Sequence, residues 1–158
     1  MPQVRKATEA DVVGIRDVAT KAWYSTYLNI YAVSTVNELL AASYNEQNLL
    51  NRLKDQLFLV IEENDEIIAF SNFIYGKELY LSAHYVCPGK QNKGFGGALL
   101  QAGLDIYQDQ YEELYVEVDR RNESAVRFYK NNGFEHLRSY DQVMYGEIME
   151  LALLRKSL

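Results

Sequence analysis

Between Tyr85 and Leu100 the chain reads YVCPGKQNKGFGGALL: a β-favouring run, a Pro–Gly break, then glycines at the head of an apolar helical segment. Glycines weaken the interior of a helix or a strand, so this cluster belongs at the junction between them. Pro88 withholds a backbone donor and ends the strand, while Ala98 and Leu99 begin the face of a helix that packs on a sheet. The chain must therefore pass from strand to helix within a few residues, which predicts an α/β architecture. The first N–H groups of such a helix have no intrahelical partners, and glycines let a ligand come close to them. With the helix dipole they form a cradle for phosphate oxygens, and a pyrophosphate fits against Gln91 to Gly97 with Lys90 and Lys93 at the rim. The alternative is a helix start that simply needs compact residues. Two other phosphate turns are excluded. A dinucleotide fingerprint would need glycine where Leu99 stands, and a P-loop would need Lys and Ser or Thr where Ala98 follows Gly97.

The rest of the sequence places this unit in a single domain spanning residues 1–158. Residues 3–7 read as a short strand, and Thr8 with Asp11 resembles a capping box ahead of a helix whose stripe is Val12, Ile15, Ala19, Ala22 and Trp23. Ser34 or Thr35 is expected to cap a second helix running through Leu40, and Asn45 a third built on Leu49, Leu50, Leu53 and Leu57. QLFLVIEENDEIIAFSNFIY reads as a hairpin turning at ENDE, and KELYLSAHYV as the strand that Pro88 ends. ELYVEVD then gives a strand, ESAVRFYKNN a helix stopped by Gly133, and the C-terminal stretch a closing hairpin. The expected fold is one α/β domain with a mixed sheet flanked by helices.

Composition narrows the function classes. A formal charge of −6 argues against a nucleic-acid surface and allows a cationic substrate. The single cysteine, Cys87, excludes an internal disulfide, and the two separated histidines with it make no metal-ligand framework. The opening MPQVRKATEADVV has no apolar signal core and no run is long enough to cross a bilayer, so a cytoplasmic protein without membrane contacts is expected.

A second motif follows the glycine turn. LYVEVDRRNESAVRFYKNNGF puts Asn122 just before a helix and Tyr129 seven residues, about two turns, later. Each has an ordinary reading, a helix cap and a groove-facing aromatic, and each is also placed to serve a site. Together the motifs resemble the GCN5-related N-acetyltransferase superfamily. Its Q/R-x-x-G-x-G/A pattern is met by Gln91, Gly94 and Gly96, preceded by V-x-P in Val86 and Pro88. Its N-x-x-A-x-x-x-Y-x-x-x-G-F pattern is met by Asn122, Ala125, Tyr129, Gly133 and Phe134.

The resemblance implies a sheet splayed at its centre and acetyl-coenzyme A as acetyl donor. The pantetheine arm would enter between the strand of Val86 and that of Glu117, and the pyrophosphate would rest on the glycine turn. The implied donor-binding residues are Tyr85, Val86, Gln91, Asn92, Lys93, Gly94, Phe95, Gly96, Gly97, Asn122 and Tyr129. Backbone N–H near Tyr85 or Val86 would polarise the thioester carbonyl. The implied reaction is direct attack by a neutral amine, with Tyr129 as the acid that protonates the departing thiolate and Glu117 as base. Glu117 has a second reading, as a residue that binds water or the substrate ammonium. The sequence departs from the histone-modifying relatives, placing Tyr80 where their catalytic glutamate stands. His84 is an alternative base; strand alternation without a bulge would put Tyr80, His84 and Val86 on one face and Tyr85 on the other, whereas the resemblance implies a bulge in this strand that would change the sides. His136 reads as structural, and Cys87 has no local base to make it an acyl carrier.

The acceptor is expected against the first helix and the aromatic stretch AWYSTYLNIY, through Trp23, Tyr24, Tyr27 and Tyr31, although core packing is an equal role for Trp23. A small amine of polyamine type is the expected acceptor. A protein or peptide amine, a non-catalytic coenzyme A sensor and an interaction protein are the alternatives, and a homodimer is allowed by the resemblance.

Overall fold

The computed structural model describes residues 2–158. Seven strands form one sheet: β1 (Val4–Lys6), β2 (Leu57–Glu63), β3 (Glu66–Ile74), β4 (Leu79–Val86), β5 (Glu113–Asp119), β6 (Glu135–Met144) and β7 (Glu147–Ser157), in the order β1-β2-β3-β4-β5-β7-β6. Only β4 and β5 pair in parallel, and the mixed sheet matches the expected fold class. Helices α1 (Val12–Tyr27), α2 (Val33–Ser43) and α3 (Glu46–Asp55) precede β2, α4 (Phe95–Tyr107) joins β4 to β5, and α5 (Glu123–Asn131) follows β5.

Each face of the sheet has its own core. Leu99, Leu100, Leu104 and Tyr107 of α4 pack on Phe73, Leu79, Leu81, Leu114 and Val116, and each fully buried leucine contributes about 1.5–3 kcal/mol. This helix lies so close to the sheet that a Cβ at Gly103 would stand 2.1 Å from the Phe73 ring. On the opposite face Val12, Ile15, Val18 and Ala19 of α1 meet Phe58, Val60, Phe70 and Ala83.

Turns and caps follow local chemistry, with one exception. The β2–β3 turn carries left-handed Asn64 and Asp65, a pair that fits the twist of a tight hairpin. Asn45 caps α3, its side-chain oxygen accepting from the Asn48 N–H at 2.8 Å. Thr8 and Asp11 close a short 3₁₀ turn (Glu9–Asp11) that leads into α1, with the Thr8 N–H donating to the Asp11 carboxylate at 2.8 Å. Helix α2 is the exception. It starts at Val33, ahead of Ser34 and Thr35, and runs past Leu40 to Ser43. The N–H of its N-cap residue, Ala32, donates to the distant Glu147 carboxylate at 3.0 Å, and no side chain caps the first turn.

A second departure shapes the site. Asn72 and Phe73 of β3 oppose Ala83 and Leu81 of β4, leaving Ser82 as an extra residue in a β-bulge. The bulge shifts the alternation by one. His84 and Val86 therefore share the α4 face with Leu79 and Leu81, while Tyr80 points to the opposite face and Tyr85 packs against Phe70. The grouping of Tyr80 with His84, which holds only for a strand without a bulge, therefore does not form, and the bulge that the family resemblance implies is present.

Candidate active site

The parallel pairing of β4 and β5 stops at Leu81↔Val116. Beyond it β4 stays with β3 as far as Val86↔Ala69, and β5 stays with β7 as far as Asp119↔Leu151. The strands diverge, and their facing edges, Ser82–Val86 and Glu117–Asp119, border a cleft of about 1050 Å³. Unpaired strand edges present backbone donors and acceptors that need partners.

The N-terminus of α4 opens onto this cleft. Gly94 at the cap has φ +86°, a left-handed conformation that costs any side chain energy. A Cβ on Gly96 would touch the ring of His84 at 3.3 Å, whereas one on Gly97 would meet no atom within 4 Å. The His84 ring lies beneath this turn. Its Nε2–H donates to the Gly96 carbonyl at 2.9 Å, and burial pushes its pKa down from 6.5 to about 4. A carbonyl only accepts, so the proton is fixed on Nε2 and that nitrogen is not free to act as a base.

The opposite wall comes from β5 and α5. The Asn122 side-chain oxygen caps α5 by accepting from the Ala125 N–H at 3.2 Å, and its amide donates to the Tyr27 hydroxyl at 3.1 Å. Tyr129 is 7% exposed and lines the cleft. Burial, with the neighbouring Tyr27 hydroxyl, pushes its pKa above 10, so at neutral pH it keeps its proton and can donate it. Glu117 is exposed on the lining and accepts a hydrogen bond from Tyr140 of β6. Asp119, 3% exposed, is held by Arg121 through contacts of 2.9–3.0 Å and by the Tyr31 hydroxyl. Burial alone would raise the Asp119 carboxyl, but the hydrogen bonds and charge of Arg121, with Tyr31, outweigh it and hold it below 3.8.

The cleft gathers Tyr85, Val86, Gln91, Asn92, Gly94, Phe95, Gly96, Gly97, Asn122, Tyr129 and Glu117. Lys93 is not on the lining, and Lys90 is there but paired with Glu63 at 2.7 Å. Cys87 borders a different hollow, beside Lys21 and Asp17, and His136 is an exposed residue bonded to Ser139. Of the four aromatic residues expected at the acceptor, only Trp23 and Tyr27 reach the cleft. Tyr24 lies about 100° around α1 from Trp23 and bonds Asn37, and Tyr31 is buried against Asp119. Sequence reasoning missed Arg127 and Tyr140. Arg127 lies on the lining one turn after Glu123, at the four-residue helical spacing that could have revealed it. Tyr140 comes from a strand distant in sequence, and no local signal marks it.

The model of the acetyltransferase (GNAT) family matches residues 19–134. This chain belongs to that family. The acetyltransferase is 27% identical over 141 residues to spermidine N(1)-acetyltransferase of Thermoplasma acidophilum, a match covering 84% of this chain and 88% of that protein. The PaiA N-acetyltransferase of Thermoplasma acidophilum, solved in complex with coenzyme A, superposes with a TM-score of 0.86 at 24% identity, covering 100% of this chain and 99% of that one. The YncA protein of Salmonella typhimurium, solved with acetyl-CoA, gives a TM-score of 0.71 at 21% identity over 100% of this chain and 94% of that one. At such identities the superpositions establish a shared fold.

Proposed function

We propose that this acetyltransferase moves the acetyl group of acetyl-coenzyme A to the primary amine of a small cationic acceptor of polyamine type. The observation that carries the reading is the cleft itself, which runs from a glycine-rich helix N-terminus to a mouth holding Trp23, Tyr27 and Glu117. The residues fit the donor. The open space at Gly97 leaves room for phosphate against the first turn of α4, and the edge of β4 beyond the bulge has no strand partner on the side facing β5. Acetyl-coenzyme A supplies the activated acyl group as a thioester.

The chain supplies the rest. N–H groups of the α4 first turn hold the anionic end, and Arg127 adds positive charge along the lining. The backbone at Tyr85 and Val86 hydrogen-bonds the amide-bearing arm and the acyl oxygen. Glu117 accepts a proton from the acceptor ammonium, directly or through water. The resulting neutral amine attacks the thioester carbonyl, and the carbon–sulfur bond breaks. Tyr129 gives its proton to the departing sulfur, and the second proton lost by the nitrogen as the amide forms restores the Tyr129 phenol. The ring faces of Trp23 and Tyr27 attract the cationic end of the acceptor. The Thermoplasma acidophilum spermidine acetyltransferase supports this acceptor class by similarity along most of both chains.

The test is a panel of diamines, polyamines, amino acids and short peptides, with release of coenzyme A followed by a thiol reagent. Turnover is expected on polyamines, and Tyr129→Phe is expected to lower kcat about 100-fold with coenzyme A affinity retained. Turnover on peptides alone would replace the acceptor assignment. Failure of the folded protein to bind coenzyme A would end the whole reading.

A further inference from the structure

We propose that His84 is a positioning residue that fixes the phosphate-binding turn, and that it takes no part in proton transfer. The inference rests on the reading of that turn as the coenzyme A seat. Three elements meet at its ring. It stands on β4 after the Ser82 bulge, its Nε2–H reaches the Gly96 carbonyl on α4, and its face stacks on Phe128 of α5 with centroids 5.0 Å apart. Across β3 its register partner is Ser71, fully buried with a hydroxyl that has no hydrogen-bond partner. This polar pair sits in the otherwise apolar layer between the sheet and α4.

Such a device has a physical reason. A turn that seats phosphate has to be thin, and Gly94, Gly96 and Gly97 make it thin. Glycine is also the weakest helix former after proline, so the same residues leave the first turn of α4 prone to fray. Fraying would scatter the N–H groups on which phosphate binding depends. The bond to Gly96 pins the middle of the turn to the sheet, and the ring packs so near the Gly96 backbone that a Cβ there would lie 3.3 Å from it. Tyr129 of α5 is the titratable group facing the ring, at a centroid distance of 6.3 Å, while Ser71, Gly96 and Phe128 carry no charge. Burial keeps the imidazole neutral throughout the neutral range.

Two variants test this. His84→Leu removes the donor and fills the space with apolar atoms, while His84→Gln retains an N–H that can reach the carbonyl. Calorimetry with coenzyme A is expected to show Kd raised about 5- to 10-fold for His84→Leu and largely restored for His84→Gln. Thermal unfolding of both variants is expected to lie above the temperature of the titration, which separates a binding defect from loss of the fold. At saturating acetyl-coenzyme A, kcat and its profile between about pH 6 and pH 9 should match the parent. Wild-type affinity in His84→Leu overturns the positioning role. Collapse of kcat with loss of a pH limb would make His84 a base. If the parent itself fails to bind coenzyme A, the phosphate-turn reading falls instead.

Discussion

Replacing Gly97 with alanine should make the protein more stable and worse at binding its donor. Gly97 is the third residue of α4, and a Cβ built there meets no atom within 4 Å. Nothing in the protein therefore opposes a methyl group. Alanine is favoured over glycine inside a helix by about 1 kcal/mol, which for a chain of this size corresponds to roughly 2–4 °C in Tm. The empty space has a different use when phosphate oxygens approach the backbone. An N–H···O contact requires about 2.7–3.2 Å, and a methyl on the same residue intrudes on that approach. Displacing one charge-assisted hydrogen bond costs about 1.5–3 kcal/mol, or roughly 10- to 150-fold in Kd. Differential scanning calorimetry and titration with coenzyme A read the two effects separately. Gly94→Ala is the control, because its φ of +86° makes alanine strained although the space around it is equally open, so Tm should fall. Unchanged coenzyme A affinity in Gly97→Ala would refute the placement of phosphate on this turn. A lower Tm would show that the space is not empty.

Three further outcomes are expected. Tyr140→Phe removes the hydroxyl that donates to Glu117 and should lower kcat about 3- to 10-fold without changing coenzyme A binding; added to Glu117→Gln it should do nothing more, and full additivity would disconnect Tyr140 from the reaction. Asn122→Ser keeps a capping oxygen for α5 but is too short to reach Tyr27, so it and Tyr27→Phe should each reduce kcat/KM for the acceptor about 2- to 10-fold, and the double variant should be no worse. Wild-type kinetics in Asn122→Ser would leave capping as the asparagine's whole role. Asp119 titrates below its ordinary value in the folded protein, so its contribution to stability is complete above about pH 4 and is lost as pH falls through the lowered value; Tm measured from pH 7 to pH 2 should drop in that acid range, and Asp119→Asn should flatten the drop.

What could be read from the sequence was what depends on neighbours in the chain. Helical stripes, the Asn-Asp hairpin turn, the Asn45 cap and the glycine turn each declare themselves within a few residues. The start of α2 did not, because no side chain caps it and the N–H of its N-cap residue donates to Glu147, 115 positions away. Ser82 illustrates the same limit more sharply. A bulge depends on how β4 registers against β3, and nothing in LYLSAHYV says which residue will be left over. One inserted residue then decides that His84 lies under the glycine turn and that Tyr80 does not share its face. Lys90 and Lys93 misled for a related reason. Their charge was visible, but the Glu63 that occupies Lys90 comes from another strand.

The aromatic run AWYSTYLNIY ties the cleft together as well as lining part of it. Trp23, Tyr27 and Tyr31 are four residues apart, so they form one stripe along α1 and just beyond it. Each uses its polar atom on a different part of the cleft. The Trp23 indole donates to Tyr85 of β4 at 3.0 Å, the Tyr27 hydroxyl accepts from Asn122 at the head of α5, and the Tyr31 hydroxyl donates to Asp119 of β5. These bonds span the two strands after their own pairing has ended at Leu81↔Val116. A splayed sheet gives up backbone hydrogen bonds to make room for a ligand, and something must still hold the halves at a fixed separation. The stripe is placed to do that, with the Trp23 and Tyr27 rings packed against each other at a centroid distance of 4.1 Å and tilted by 32°. The hydroxyls are then engaged inside the protein, so in the proposed reaction the wall would offer an acceptor aromatic carbon and the Glu117 carboxylate, a lining that suits a cationic amine better than a group needing directional hydrogen bonds.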